Sequence, residues 1–323
     1  MSNRFMAAAL LAAVSAVGQT TVGPTKSYVV PRTADGQPDI SGVYSNVTNI
    51  PLERPQNLGA KEFFTPEEAA ARAAGRGGGG RGGAAAADRA GTPADVHYDV
   101  SQFGLDRSHA VVATSLRTSQ VTGPEGRIPP LLPEAQKRQA DRAALNRGHQ
   151  YDGPENRGLA ERCLTWGNVG PPITSPGYNS DLQIVQGPGY VAIMQEMIHD
   201  VRVIPTDGRP HLPASIKQWF GDSRGRWEGD TLVVDTTNFS DKAAFRGSGE
   251  DLHVVERFTR VDAETVRYEF TVDAPKTWAK PWSAEAPFAK IASPIFEYAC
   301  QEGNYGMPNI LSGARASEAA QKK

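Results

Sequence analysis

The sequence predicts an all-β fold, an antiparallel meander closing into a barrel, with a two-sheet sandwich as the alternative. Three observations predict it. Short runs rich in β-branched and aromatic residues recur over 182–187, 190–196, 200–204, 217–227, 230–236, 252–260, 265–273, 280–289 and 295–300. Turn formers separate them, at Gly187-Pro188-Gly189, Asp207-Gly208, Glu228-Gly229 and Gly247-Ser248-Gly249. Strands joined by such short turns pair antiparallel. No helical pattern intervenes, which excludes a parallel βαβ sheet. Many consecutive antiparallel strands must then close or double over to hide their edges.

The remaining elements follow in order along the 323 residues. Arg4, an apolar run over 5–17, and the small residues Ala16 and Gly18 before Gln19 read as an export signal over 1–18. That apolar run is shorter than the ~20 residues a spanning helix needs, and no other stretch is long and apolar enough. The expectation is a periplasmic or secreted protein without a membrane span. Residues 19–95 form an extended N-terminal region. It carries a first strand near Gly42-Val43-Tyr44 and a short helix over 60–74. Thr65 is the N-cap of that helix, Pro66 its first residue, and Glu67 and Glu68 lie in its first turn. The Gly/Ala/Arg stretch over 75–93 has no apolar residue large enough to build a core and reads as a disordered loop.

The barrel domain is expected over 96–312. Strand composition appears at 98–103 and 111–121. A helix over 133–147 opens on Pro133 and stops at Gly148. Its charges, Glu134, Lys137, Arg138, Asp141 and Arg142, alternate around the surface and read as a solvated face. A long irregular insertion over 151–180 contains Cys163 and Trp166. Residues 313–323 read as a disordered tail. The two cysteines, Cys163 and Cys300, read as one structural disulfide in an oxidising compartment. Closing a loop of that length contributes about 5 kcal/mol in the chain-entropy description.

Composition narrows the function. A net charge of −2 argues against a dedicated nucleic-acid binder. The 33 glycines and 24 prolines favour short elements and loops over a helical bundle. The six histidines show no metal-binding spacing, so no metal and no cofactor are expected. Gly221-Asp222-Ser223-Arg224-Gly225 matches the pattern of a nucleophile elbow. A hairpin follows it instead of the helix that elbow requires.

Two constellations remain. Glu196-Met197-Ile198-His199-Asp200-Val201-Arg202 lies where two strands meet. There His199 with Asp200 could serve as a base with its carboxylate, and Arg202 could hold an anion. The hairpin over 252–273 is the second. A turn centred on Asp262-Ala263 puts His253, Val255, Arg257, Thr259, Val266, Tyr268, Phe270 and Val272 on one, more apolar face. That face is expected to point inward, with His253, Arg257 and Tyr268 lining a pocket. A slip of one residue would swap the faces and make Glu256 and Glu269 an interior acid/base pair. The expected function is an exported barrel binding a small, partly apolar organic ligand in an interior pocket through His253, Arg257, Tyr268, Arg202 and His211. One alternative is a cofactor-free hydrolase or lyase using His199 and Asp200, or Glu256 and Glu269. The other is a structural or interaction protein of the cell envelope.

Two resemblances bear on this. Gly42-Val43-Tyr44 resembles the Gly-x-Trp fingerprint that opens lipocalin-like barrels, with Tyr in place of Trp. More of the chain is similar to an uncharacterised family of exported proteins abundant in soil bacteria. The similarity rests on Arg127-Ile128-Pro129-Pro130-Leu131, Gln183-Ile184-Val185-Gln186, Asp207-Gly208-Arg209-Pro210-His211, Gly225-Arg226-Trp227-Glu228-Gly229-Asp230-Thr231-Leu232-Val233-Val234 and Leu252-His253-Val254-Val255-Glu256-Arg257-Phe258. This resemblance implies export and a β-rich fold, and it brings no activity with it.

Overall fold

The computed structural model describes residues 28–76, 115–167, 169–175, 179–243, 245–292 and 294–322. The expected export signal, most of the 75–93 loop and the strand expected at 98–103 lie outside the described residues.

Among the described residues, nine strands form one antiparallel sheet: β1 (Gly42–Ser45), β2 (Asp181–Gly187), β3 (Tyr190–Gln195), β4 (Val201–Pro205), β5 (Asp222–Glu228), β6 (Thr231–Thr237), β7 (His253–Arg260), β8 (Thr265–Asp273) and β9 (Trp282–Lys290). Their order is β4-β3-β2-β1-β9-β8-β7-β6-β5. Two meanders, β2 to β4 and β5 to β9, are joined through β1, which pairs with β2 on one side and β9 on the other. The sheet curls into a nearly closed barrel whose edge strands, β4 and β5, face each other without a hydrogen-bonded ladder. They nonetheless come close: a Cβ on Gly225 of β5 would lie 3.0 Å from Ile204 Cγ2 of β4 and 2.8 Å from Thr206 Cγ2 just beyond it.

The all-β barrel expectation holds, and its details are revised in four places. β1 is a full member of the barrel, so the expected division at residue 95 cuts through the sheet. Residues 115–121 make only isolated bridges, Arg117 to Phe63 and Val121 to Ala284. No strand forms at 295–300, where the chain runs irregularly to Cys300. The expected tail is helical through Gln321. Past Gly313 its run of Ala, Ser, Glu, Gln and Arg contains no helix breaker.

Three helices among the described residues decorate the barrel: α1 (Pro66–Arg76), α2 (Pro133–Asn146) and α3 (Gly306–Gln321). Among the described residues, no helix is long and apolar enough to cross a membrane. α1 starts as its sequence dictates. The Glu68 N–H is 3.3 Å from Thr65 Oγ1, and Glu68 Oε2 accepts the Thr65 N–H at 2.8 Å, a reciprocal capping box.

The inner face of β7 and β8 shows how the core is chosen. Val254, Glu256, Phe258 and Arg260 of β7 point inward with Val266, Tyr268, Phe270 and Val272 of β8. The expected face was right for β8 and wrong for β7. The connection has three residues, Asp262 to Glu264, closed by the Val261 N–H donating to the Thr265 carbonyl. Phe258, not Arg257, therefore lies across from Tyr268. An odd connection shifts the pairing by one and turns every β7 side chain over. His253 and Arg257 are accordingly on the outer face. The alternative register fails too: Glu256 is interior opposite Phe270, whereas Glu269 is exterior opposite Arg257.

The barrel centre is filled. Tyr268 packs against Phe288, Phe258 and Phe270 at ring-centroid distances of 4.8, 4.9 and 5.6 Å. Near the β7–β8 turn, buried Arg260 donates to the carbonyls of Asp39, Asp262 and Ala263. Tyr44 is also buried and donates to the Ile40 carbonyl at 3.0 Å; burial pushes its hydroxyl up to about 12.

Candidate functional site

An ionic group lies at the barrel centre. Arg202 of β4 reaches across the interior and makes two bonds to Glu256, at 2.5 and 3.0 Å. Tyr268 donates to the same carboxylate at 2.8 Å and accepts the Ile173 N–H at 2.8 Å. Glu256 is fully buried, and the Arg202 side chain is 12% exposed. Burial alone would lower the Arg202 guanidinium, but the Glu256 charge and hydrogen bonds outweigh it and the net shift is upward. Burial, then the Glu256 charge, pushes Tyr268 well above its ordinary value. Each member thus satisfies another, as a buried ion pair requires. Beside it is a void of only about 10 Å³ under Val169, Gly170 and Phe220, one water at most.

The other expected site residues are placed elsewhere. Arg257 pairs with Glu228 at 2.9 Å, both side chains 40% exposed. Glu269 meets Arg267 on the outer surface at 3.3 Å. His211 and His253 come together through a carboxylate. His211 lies 2.8 Å from Asp222 and 3.1 Å from Asp235, and the other oxygen of Asp235 is 2.9 Å from His253. This chain of alternating acids and imidazoles runs along the outer face of β5, β6 and β7. His199 does not join it; its ring bonds the Tyr298 carbonyl at 3.1 Å. Asp200, half-buried, is raised by burial, with His199 opposing. Ser223 is an ordinary strand residue bonded to Thr236 Oγ1 at 2.9 Å, so no nucleophile elbow forms. Among the described residues, no three His, Cys, Asp or Glu side chains converge to hold a metal.

The open spaces lie where β4 and β5 begin and β6 ends. Two recesses meet there, with Trp219 and Phe220 between them. The first follows the β4–β5 seam and encloses about 520 Å³. Its cations are matched: Arg202 by Glu256, Arg224 by Asp222 at 2.7 Å, and Lys217 by Glu250 at 3.5 Å. The second encloses about 430 Å³. Trp166, Trp219, Phe220, Phe239 and Phe245 supply its aromatic wall, with Pro171 and Pro172. Arg142, Lys242 and Arg246 supply its charge, and no carboxylate among the described residues lines it.

Local structure fixes each part of this second recess. The strand bridge between Gln218 and Phe239 anchors the Trp219-Phe220 pair. Gly221 then turns the chain into β5 at φ +68; a Cβ there would come within 2.6 Å of the Thr237 carbonyl. Trp166 comes from the insertion tethered by Cys163, which is at disulfide-bonding distance from Cys300, Cα to Cα 5.6 Å. Arg246 has a left-handed backbone, φ 51 and ψ 33, costing about 1–2 kcal/mol for a residue with a Cβ. Its guanidinium lies 5.9 Å from the Phe245 ring. α2 is docked rather than free: Ala135 is fully buried, and Arg138 donates to the Lys276 carbonyl at 2.9 Å. Arg142, one helical turn on, is thereby brought to the recess. Arg138 and Arg142 stay exposed, so the solvated face expected of α2 holds, and Arg138 in addition ties the helix to the Lys276 carbonyl.

Sequence reasoning missed most of this wall because it is assembled from loops far apart in the chain. One signal was available: Trp219-Phe220 are adjacent aromatics just before a glycine turn. Comparison with protein-family models and with curated proteins finds no match to this chain.

Proposed function

We propose that this chain is an exported barrel, periplasmic or secreted, that binds a small, partly apolar organic ligand. The binding place is the aromatic recess at the barrel end. The observation that carries the reading is that recess: about 430 Å³, walled by five aromatic rings, with three cationic side chains around it. A concave, mainly apolar space of a few hundred Å³ with a few polar groups is the ordinary form of a small-molecule site. The filled centre moves the proposed site from the barrel interior to its end. Tyr268, fixed with Arg202 on Glu256, then serves the site indirectly, by accepting the N–H of Ile173 next to the lining Pro172. His253 and Arg257, on the outer face, have no part in it.

A neutral fluorescent probe such as N-phenylnaphthylamine tests this. It should bind saturably with enhanced emission, and Trp219→Ala should weaken binding on the order of tenfold, the loss expected for one aromatic contact surface. Trp219 is 40% exposed, so the variant should keep the wild-type melting temperature. A probe that gives no saturable signal, or that binds the variant as tightly as the wild type, sinks the proposal.

A further inference from the structure

We infer that the ligand of the aromatic recess is an acid: a flat, largely apolar molecule bearing one carboxylate or a similar anionic group. This rests on the proposed binding role of that recess and adds the ligand's charge. Arg142, Lys242 and Arg246 converge from three separate places, helix α2 and two short turns after β6. None of the three has an ion-pair partner among the described residues. Elsewhere on this barrel, arginines and lysines near carboxylates are paired, including every cation of the neighbouring seam recess.

Three unpaired cations around a low-dielectric aromatic wall repel one another, and an anion placed among them relieves that repulsion. Two of them are arginines, whose planar forks match a carboxylate with two parallel hydrogen bonds. The rings set the rest of the molecule. Trp166, Trp219, Phe220 and Phe245 all line the space, so a planar apolar body has rings to pack against. Acids do exist nearby. Glu155 and Asp241 line an adjoining depression of about 450 Å³ that shares Arg142, Lys242 and Trp219. That depression also carries Arg162, and neither acid borders the aromatic space, which leaves that space the more favourable one for an anion.

The test uses three probes with one ring system: naphthoate, naphthamide and naphthylmethylammonium, titrated at neutral pH by calorimetry. The expected order is naphthoate tightest, by about tenfold over naphthamide, and the ammonium probe weakest. High salt should shrink the preference for naphthoate without changing naphthamide. The double variant Arg142→Ala/Lys242→Ala, with Arg246 left in place, should lose most of the preference for naphthoate over naphthamide, and both side chains are exposed, so the fold should tolerate their loss. If naphthoate and naphthamide bind the wild type equally, or the ammonium probe binds best, the acid assignment is overturned while ligand binding stands. If none of the three binds, both readings fall.

Discussion

Glu256 and Arg257 are neighbours on β7, and each belongs to an arginine–glutamate pair, yet the pairs occupy different solvents. Glu256 is fully buried and holds Arg202 and Tyr268 inside the barrel. Arg257 meets Glu228 on the outer surface, with both side chains 40% exposed. One peptide unit separates them, and strand alternation sends them to opposite faces. The difference teaches that an arginine near a glutamate says nothing by itself about stability or function. Position across the sheet decides whether losing one partner strands a charge away from water or merely returns it to water.

The largest effect is expected at Glu256. Glu256→Ala leaves Arg202 without a counter-charge and Tyr268 without its acceptor, which should cost about 3–5 kcal/mol in urea unfolding. Replacing both members, Arg202→Met with Glu256→Leu, should recover part of that loss, because no buried charge is left unpaired, although the Tyr268 hydroxyl still lacks its acceptor. A double variant as unstable as the single one would show that the pair is not acting as a unit.

Glu196 is the intermediate case, a buried acid with amide partners and no cation. Asn179 and the Asp181 N–H donate to it. Burial, then the Asp181 charge, raises it above its ordinary 4.5. Folding therefore favours its neutral form. That contribution is complete below the ordinary value and is lost as pH rises through the raised one. Glu196→Gln remains neutral throughout. Its melting temperature relative to wild type should climb from acidic to neutral pH, and a pH-independent difference would contradict the assignment.

The smallest effect is expected at Arg257. Arg257→Ala should change stability by about 0–1 kcal/mol, less at high salt, because water replaces an exposed ion pair at little cost. A loss comparable to that of Glu256→Ala would erase the contrast between the two faces.

Much of the barrel was legible in the chain. Turn glycines and alternating β-branched residues place β5, β6, β7 and β8 closely, with only the loop before Asp222 misread as strand. The face of β8 was legible because Val266, Tyr268, Phe270 and Val272 alternate cleanly with polar residues. The face of β7 was not. Val254 and Phe258 lie on one side and Val255 on the other, and an arginine occurs on each, so apolar content does not choose. The choice came from one extra residue in the turn. The recess was least legible. Its wall joins Trp166, Trp219 and Phe245 from three loops and Arg142 from a helix, and no periodicity in sequence encodes such a meeting.

The position of β1 between β2 and β9 has a consequence for how the chain is made. Ser45 pairs with Asp181 and with Ala289, so the strand synthesised first needs the strand synthesised last. Local hairpins such as β7–β8 can zip as soon as they emerge, but the ring has no complete circumference until nearly the whole chain is available. Bringing such distant segments together is entropically slow. Closure is thus an event of the finished polypeptide, and until then the two half-sheets wait with their inner faces open to whatever surrounds the growing chain.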